Sequence, residues 1–282
     1  MEVEQLREIM KKVILITGAS SGIGKATARL LLQDGHIVYG VSRNTEKMND
    51  IQQLGVRTMA MDVSEDDSMQ AGVAQIMDAE GRIDVLINNA GYGSYGALED
   101  TPMDEAKYQF EVNVFGLARL CQLVLPTMRT QRSGTIINIS SIGGKIAEPH
   151  GSWYHATKFA VEGLSDCLRL ELYQFGIDVV VIEPGAIKTE WNTIARQNLR
   201  DVSGDTAYKD LVRKHANFLE KGDEQASDPV VVAKTIRRAV NARKPKTRYA
   251  TGKGAKIILF LQKVLPDRWM DKLFLTIIKR MG

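Results

Sequence analysis

The chain has 282 residues, 44% hydrophobic and 25% charged, with a formal net charge of +3, a globular composition that calls for no nucleic-acid partner. Its two cysteines, Cys121 and Cys167, stand in no CxxC or metal-ligand spacing, so neither a disulfide scaffold nor a metal site is expected. The opening MEVEQLREIMKK has no apolar signal core, and no apolar run reaches membrane-spanning length, which predicts a cytoplasmic protein, attached at most to a membrane surface.

KVILIT (12–17) predicts a first strand, and TGASSGIGKA (17–26) follows it directly into a helix over about 22–34. Gly18, Gly22 and Gly24 fall in a G-x-x-x-G-x-G spacing, with Ser20, Ser21 and Ile23 between them. Glycines there permit a tight turn and close backbone approach, and the helix N-terminus offers free N–H groups to a pyrophosphate. The second strand, HIVYGVS (36–42), ends in Ser42-Arg43-Asn44, with no acid before Glu46. NAD-binding folds place an acid there for the ribose 2′-hydroxyl. Arg43, aided by Ser42, suits a 2′-phosphate instead, which predicts NADP(H).

VRTMAMD (56–62) reads as the third strand, and a helix over about 64–80 leads to IDVLIN (83–88). Ser64 and Asp67 have the spacing of a helix cap. One long helix is predicted over 103–130, then GTIINIS (134–140), then a helix reaching about Phe175, where Gly176 suits a left-handed cap. IDVVVIE (177–183) is the sixth strand. The strands are continuously apolar, so both faces should be covered; alternation with helices implies an α/β doubly wound parallel sheet of Rossmann type in one domain. Segment 189–227 breaks the pattern and reads as a polar, irregular lid, with Trp191, Ile194, Leu199, Tyr208, Leu211 and Phe218 to line a lipophilic pocket or to pack it down.

WYHATKFAVEG (153–163) sets Tyr154 and Lys158 on one helical face. A free phenol titrates near pH 10, and a neighbouring ammonium favours its phenolate. Such a pair suits proton transfer to or from a carbonyl or alcohol oxygen. His155 points about 100° away around the helix and is a poor catalytic candidate. Ala156, Ala160, Gly163, Leu164, Cys167 and Leu168 form a second stripe, which reads first as core.

TGASSGIG, NNAG (88–91), YHATK (154–158) and PGAIKT (184–189), in this order at strand ends, resemble the motifs of the short-chain dehydrogenases/reductases over about residues 11–190. The longer C-terminus is more like that of hydroxysteroid and retinol dehydrogenase relatives than of 3-oxoacyl thioester reductases. The resemblance implies a catalytic set of Asn113, Ser141, Tyr154 and Lys158, acting on a carbonyl or alcohol substrate. Ser140 is the alternative serine, one residue further from Tyr154. It implies cofactor contacts at the glycine-rich turn, at Asp62 and Val63, at Asn89, Ala90 and Gly91, and at Pro184, Gly185, Ile187 and Thr189, besides Tyr154 and Lys158. It also implies a homodimer or homotetramer through the long helix and the Tyr154 helix.

Residues 243–282 carry eleven Lys/Arg against two Asp, a charge of +9 that leaves −6 for the rest. Two short helices separated by Pro266 are expected there. Ile257, Ile258, Leu261, Leu265, Trp269, Leu273, Phe274, Ile277 and Ile278 recur at helical spacing among cations. That pattern suits a membrane interface, a pocket closure or a dimer contact.

Overall fold

The computed structural model describes residues 11–281. Seven parallel strands form one sheet: β1 (Val13–Thr17), β2 (Ile37–Ser42), β3 (Arg57–Ala60), β4 (Val85–Asn88), β5 (Gly134–Ile139), β6 (Ile177–Pro184) and β7 (Arg248–Thr251), in the order 3-2-1-4-5-6-7. Strand order reverses between β1 and β4, and a doubly wound sheet binds its ligand outside the strand ends at such a point. The six predicted strands are present, and β7 adds the far edge.

Successive residues of each strand serve opposite cores. Val13 and Leu15 pack towards α3 (Asp66–Glu80), α5 (Gly116–Gln131) and α6 (Ser152–Leu172). Ile14 and Ile16 pack towards α1 (Gly22–Gln33), the short α2 (Asn49–Gln52) and α9 (Pro229–Asn241). All four strand residues are buried, which explains runs with no polar alternation. Gly176 caps the end of the α6 segment at φ +68°, as expected.

The long helix expected over 103–130 is interrupted. It comprises α4 (Met103–Phe110), a π turn (Glu111–Phe115) and α5. The π turn carries Asn113, and such one-residue widenings recur at functional sites. At its end Gly116 lies against Val63, where a Cβ would overlap the Val63 carbonyl oxygen. Gly116 thus allows a close backbone contact at the end of the turn, one that has no periodic signature in the sequence.

The lid is not irregular either. It forms two helices, α7 (Glu190–Ser203) and α8 (Lys209–Glu224). Both are polar outside and bury a narrow stripe of Ala195, Leu199, Val212 and Ala216 against Tyr95 and Tyr154. The stripe on α6 is also corrected. Ala156, Gly163, Leu164 and Cys167 are exposed, and the buried face carries Tyr154, Thr157, Lys158, Val161 and Ser165. The expected C-terminal helices are present as α10 (Ala255–Val264) and α11 (Asp267–Met281), parted at Pro266. α11 packs on α8, with Met270 and Ile278 buried. Among the described residues no helix is long and apolar enough to cross a membrane.

Candidate active site

The C-terminal ends of β1, β4, β5 and β6 bring the predicted motifs together. At the end of β1, Gly18 and Gly22 take φ values of +65° and +50°. These left-handed values favour glycine. A Cβ on Gly24 would overlap the Gly18 carbonyl oxygen and lie 2.6 Å from Asn89 Nδ2, so α1 starts hard against the turn. Ser21 caps α1 in extended conformation without using its hydroxyl, and Ser20 and Ile23 are part-buried beside it. Asn89 ties the two strand ends together: its Nδ2 donates to Thr17 O at 2.9 Å, while Thr17 Oγ1 accepts from the backbone N–H groups of Asn89 (3.0 Å) and Ala90 (2.9 Å).

No acid closes β2. The Ser42 hydroxyl donates to Asn44 O at 2.8 Å, and the exposed Arg43 guanidinium donates to the Tyr108 hydroxyl at 2.8 Å. Tyr108, on α4, is a partner of Arg43 that sequence spacing did not reveal. Asp62 accepts from the backbone N–H (3.0 Å) and hydroxyl (2.7 Å) of Ser64, so Ser64 completes a turn with Asp62 and does not cap α3. Val63 is buried beside it.

At the end of β6, Gly185 fits closely under the Lys253 carbonyl, and its N–H donates to Thr251 O at 2.9 Å. Ile187 is buried and pairs with Ser227 in a bridge. Thr189 begins α7 and packs against Gly22, whose Cβ would lie 3.1 Å from its methyl. Pro184 therefore starts a segment that returns to the glycine-rich turn.

Tyr154 and Lys158 are both buried on α6, with Lys158 Nζ 5.9 Å from the Tyr154 ring centre. Lys158 Nζ donates to Ile139 O at 2.9 Å. Burial lowers its pKa to about 8, against the raising effect of Glu162. Burial pushes the Tyr154 phenol up to about 12; a hydrogen bond with Ser141 opposes this and the charge of Glu148 adds to it. Ser141 Oγ accepts from the Gly143 N–H at 3.0 Å, which leaves its own hydrogen free to donate. The alternative, Ser140, has a buried hydroxyl with no partner, turned towards Gly144.

Asn113 is clamped from three sides. Its Nδ2 donates to Tyr92 O (2.8 Å) and Thr157 Oγ1 (3.1 Å), and its Oδ1 accepts from Tyr92 N (3.0 Å). A Cβ on Gly91 would come within 3.0 Å of Asn113 Oδ1 and 3.7 Å of Lys158 Nζ. His155 has its Nδ1 2.8 Å from Gly143 O, with its ring 5.6 Å from that of Tyr154. Trp191 covers the Tyr154 ring at 4.9 Å between centres. The geometry is a glycine cradle at a helix N-terminus, a basic group where β2 ends, and a buried Tyr-Lys-Ser-Asn group under an apolar lid.

The family model described as short chain dehydrogenase matches residues 12–200. The chain belongs to that family. A 3-ketodihydrosphingosine reductase from Bacteroides thetaiotaomicron is 40% identical over 92% of this chain and 95% of its own. An NADPH-dependent 3-dehydrocapnine reductase from Ornithobacterium rhinotracheale is 32% identical over 95% of this chain and 97% of its own. A crystal structure of a short-chain dehydrogenase from Streptomyces avermitilis is 33% identical, with a TM-score of 0.79 over 97% of this chain and 99% of that one. This short-chain dehydrogenase is thus a nicotinamide-dinucleotide-dependent oxidoreductase that interconverts CH–OH and C=O.

Proposed function

We propose that this enzyme uses NADPH to reduce the ketone of a long-chain lipid, with a sphingoid-type 3-ketone as the leading candidate. The observation that carries the reading is the buried Tyr154–Lys158 pair roofed by Trp191, Leu199, Val212 and Tyr208, a polar centre under apolar walls. The two curated relatives support it, since both names specify a carbonyl at carbon 3 of the molecule reduced. When bound, the dinucleotide supplies the hydride. Tyr154 gives its proton to the carbonyl oxygen, Ser141 donates a hydrogen bond to the same oxygen, and Lys158 holds the ribose and the charge beside the phenol. Asn113 fixes the loop behind Lys158. The glycine turn, Asp62 to Val63, Asn89 to Gly91 and Pro184 to Thr189 would hold the dinucleotide. Following NADPH absorbance with 3-ketodihydrosphingosine, 3-oxoacyl thioesters and small ketones tests the reading. Preference for the thioester would move the enzyme to the 3-oxoacyl reductases, and no turnover with any ketone would favour a nucleotide-sensing role.

Arg43 carries the preference for NADP(H). A charge-assisted hydrogen bond is worth about 1.5–3 kcal/mol, and solvent at this exposed site cuts that down. Arg43→Ala should raise the Kd for NADPH roughly tenfold and leave that for NADH within about twofold. Equal affinities of the wild-type protein for both, measured by titration, would remove the assignment.

The C-terminal helices favour a membrane-surface role. Ile257, Phe260 and Trp269 are 69%, 62% and 67% exposed, and the exposed cations Lys256, Lys263, Arg268 and Lys272 surround them. Apolar insertion and attraction to anionic headgroups then act together, at about 1 kcal/mol per cation near the surface. Co-sedimentation with anionic vesicles should be salt-sensitive and lost from a chain ending at Gly254. Equal sedimentation of both chains would end the idea. A homodimer through the Glu111–Gln131 stretch and α6 is proposed on similar grounds: Phe115, on the π turn before α5, and Phe159, Leu164 and Leu170, on α6, are all exposed.

A further inference from the structure

One buried group beside the catalytic tyrosine has no part in the chemistry above. Glu148 lies on the loop between β5 and α6, its side chain 15% exposed. The Tyr95 hydroxyl donates to its Oε1 at 2.6 Å. Tyr95 is itself buried, with its ring 5.8 Å from that of Tyr154. Its only other charged neighbours among the described ion pairs are two imidazoles: His155 Nε2 is 3.9 Å from Oε1 and His215 Nε2 is 3.8 Å from Oε2. No lysine or arginine is paired with it there.

These distances matter. Both exceed hydrogen-bond length, and neither Nε2 has another partner, although His155 and His215 are 6% and 0% exposed. A carbonyl can only accept, so His155 Nδ1 must carry the proton that reaches Gly143 O. In the neutral ring Nε2 is then an acceptor, and it faces another acceptor. His215 Nδ1 is engaged with His150 Nδ1 at 3.0 Å. Either of those two nitrogens can hold the proton between them; burial works to raise the Glu148 carboxyl, but His215, His155 and the Tyr95 hydroxyl hold it down at about 2, so it stays ionised. A nearly buried carboxylate gains further from a full positive charge, which neutral imidazoles do not supply. Among the described residues no such cluster has metal-site geometry. A primary ammonium would bring a permanent charge and three donors to this carboxylate, where each imidazole Nε2 offers one donor at most.

Position favours a substrate group. His155 follows Tyr154 on α6, His215 lies on the lid helix α8, and Glu148 is near enough for its charge to act on Tyr154. Opening the lid would therefore uncover the cluster and the proton donor together. Dihydrosphingosine is an amino alcohol, so its 3-keto form carries an amine on the carbon beside the ketone. We propose that Glu148, with Tyr95 and His155, binds the ammonium group of an α-amino ketone substrate while Tyr154 protonates the adjacent carbonyl oxygen. This rests on the ketone-reducing site proposed above and narrows its substrate to cationic amino ketones.

The test compares kcat/KM for two long-chain 3-ketones that differ only in an amine or a hydroxyl at carbon 2. Full-length wild-type enzyme should favour the amine at least about tenfold, as expected for a charge-assisted contact. Glu148→Gln, of the same shape, should bring the ratio close to one by lowering the amino ketone alone. A wild-type enzyme without preference, or a variant that keeps it, overturns the proposal, as does an equal loss on both ketones, the mark of a purely structural Glu–His contact. If neither long-chain ketone is reduced, the lipid reading fails by itself. The carboxylate is then judged with aminoacetone against hydroxyacetone and by calorimetric binding of dodecylamine against dodecanol. Equal values for each pair overturn it, and an amine preference lost in Glu148→Gln sustains it.

Discussion

Tyr154→Phe lowers kcat for ketone reduction by about 10²- to 10⁴-fold, the range that a positioned proton donor contributes. The Kd for NADPH stays within about twofold of wild type, because the change deletes one hydroxyl and keeps the ring. That ring packs between Tyr95 and Trp191, at 5.8 Å and 4.9 Å between centres, so the lid retains its seat. KM should change little, since Ser141 still donates to the carbonyl oxygen. Single-turnover rates with saturating NADPH separate the chemical step from product release. A variant that retains near-native single-turnover rates would show that another group delivers the proton. His155 is the nearest rival in sequence, but its Nδ1 is committed to Gly143 O. A double variant at both positions would therefore lose little kcat beyond the first, any added rise in KM for an amino ketone reporting the ammonium contact instead.

What could be read directly from the sequence was local. A glycine turn needs only a few consecutive residues to declare its backbone, and a strand covered on both faces needs only an unbroken apolar run. Those signals located β1, the Gly18–Gly24 cradle and the ends of β4, β5 and β6. The α6 face also followed from the four-residue spacing of Tyr154 and Lys158. Features decided by distant contacts were missed. The π turn at Asn113 ends where Gly116 fits closely under Val63. Arg43 is oriented by Tyr108, 65 positions away. In α7 and α8 the period was in fact legible, since Ala195 and Leu199, and Val212 and Ala216, recur four apart on their buried faces; the polarity of the remaining positions is what read as loop. The outward stripe on α6 has the same composition as a core stripe, and only the position of the sheet tells them apart. α9 was legible in principle, since Asp228 caps it through Val230 N and Pro229 occupies its first turn. β7 has four residues at the sheet edge and no pattern long enough to detect.

Replacing Lys158 with methionine tests the other half of the pair. Methionine keeps most of the apolar stem, so the cavity is small and the change is chiefly electrostatic. Activity should fall by about 10²-fold or more, because the phenolate loses its neighbouring charge, and cofactor affinity should fall with the lost ribose contact. The pH profile gives the sharper test. The Lys158 pKa is lowered from 10.5 to about 8, and that of Tyr154 is raised to about 12. Between these values the phenol keeps its proton while the amine loses its charge. For wild type, kcat/KM for reduction should thus decline above about pH 8; for Lys158→Met that limb should vanish. Stability moves the opposite way. A base with a depressed folded-state pKa binds fewer protons when folded, so the cofactor-free wild-type protein gains stability as pH rises from about 8 towards 10.5. The methionine variant has no such gain. Near pH 7 it should be the more stable protein by at most about 3 kcal/mol, at 1.36 kcal/mol per unit of pKa displaced. Urea titrations without cofactor at pH 7 and pH 10 read the difference directly. A constant offset between the two proteins across that range would mean that Lys158 is not held as a costly buried ammonium.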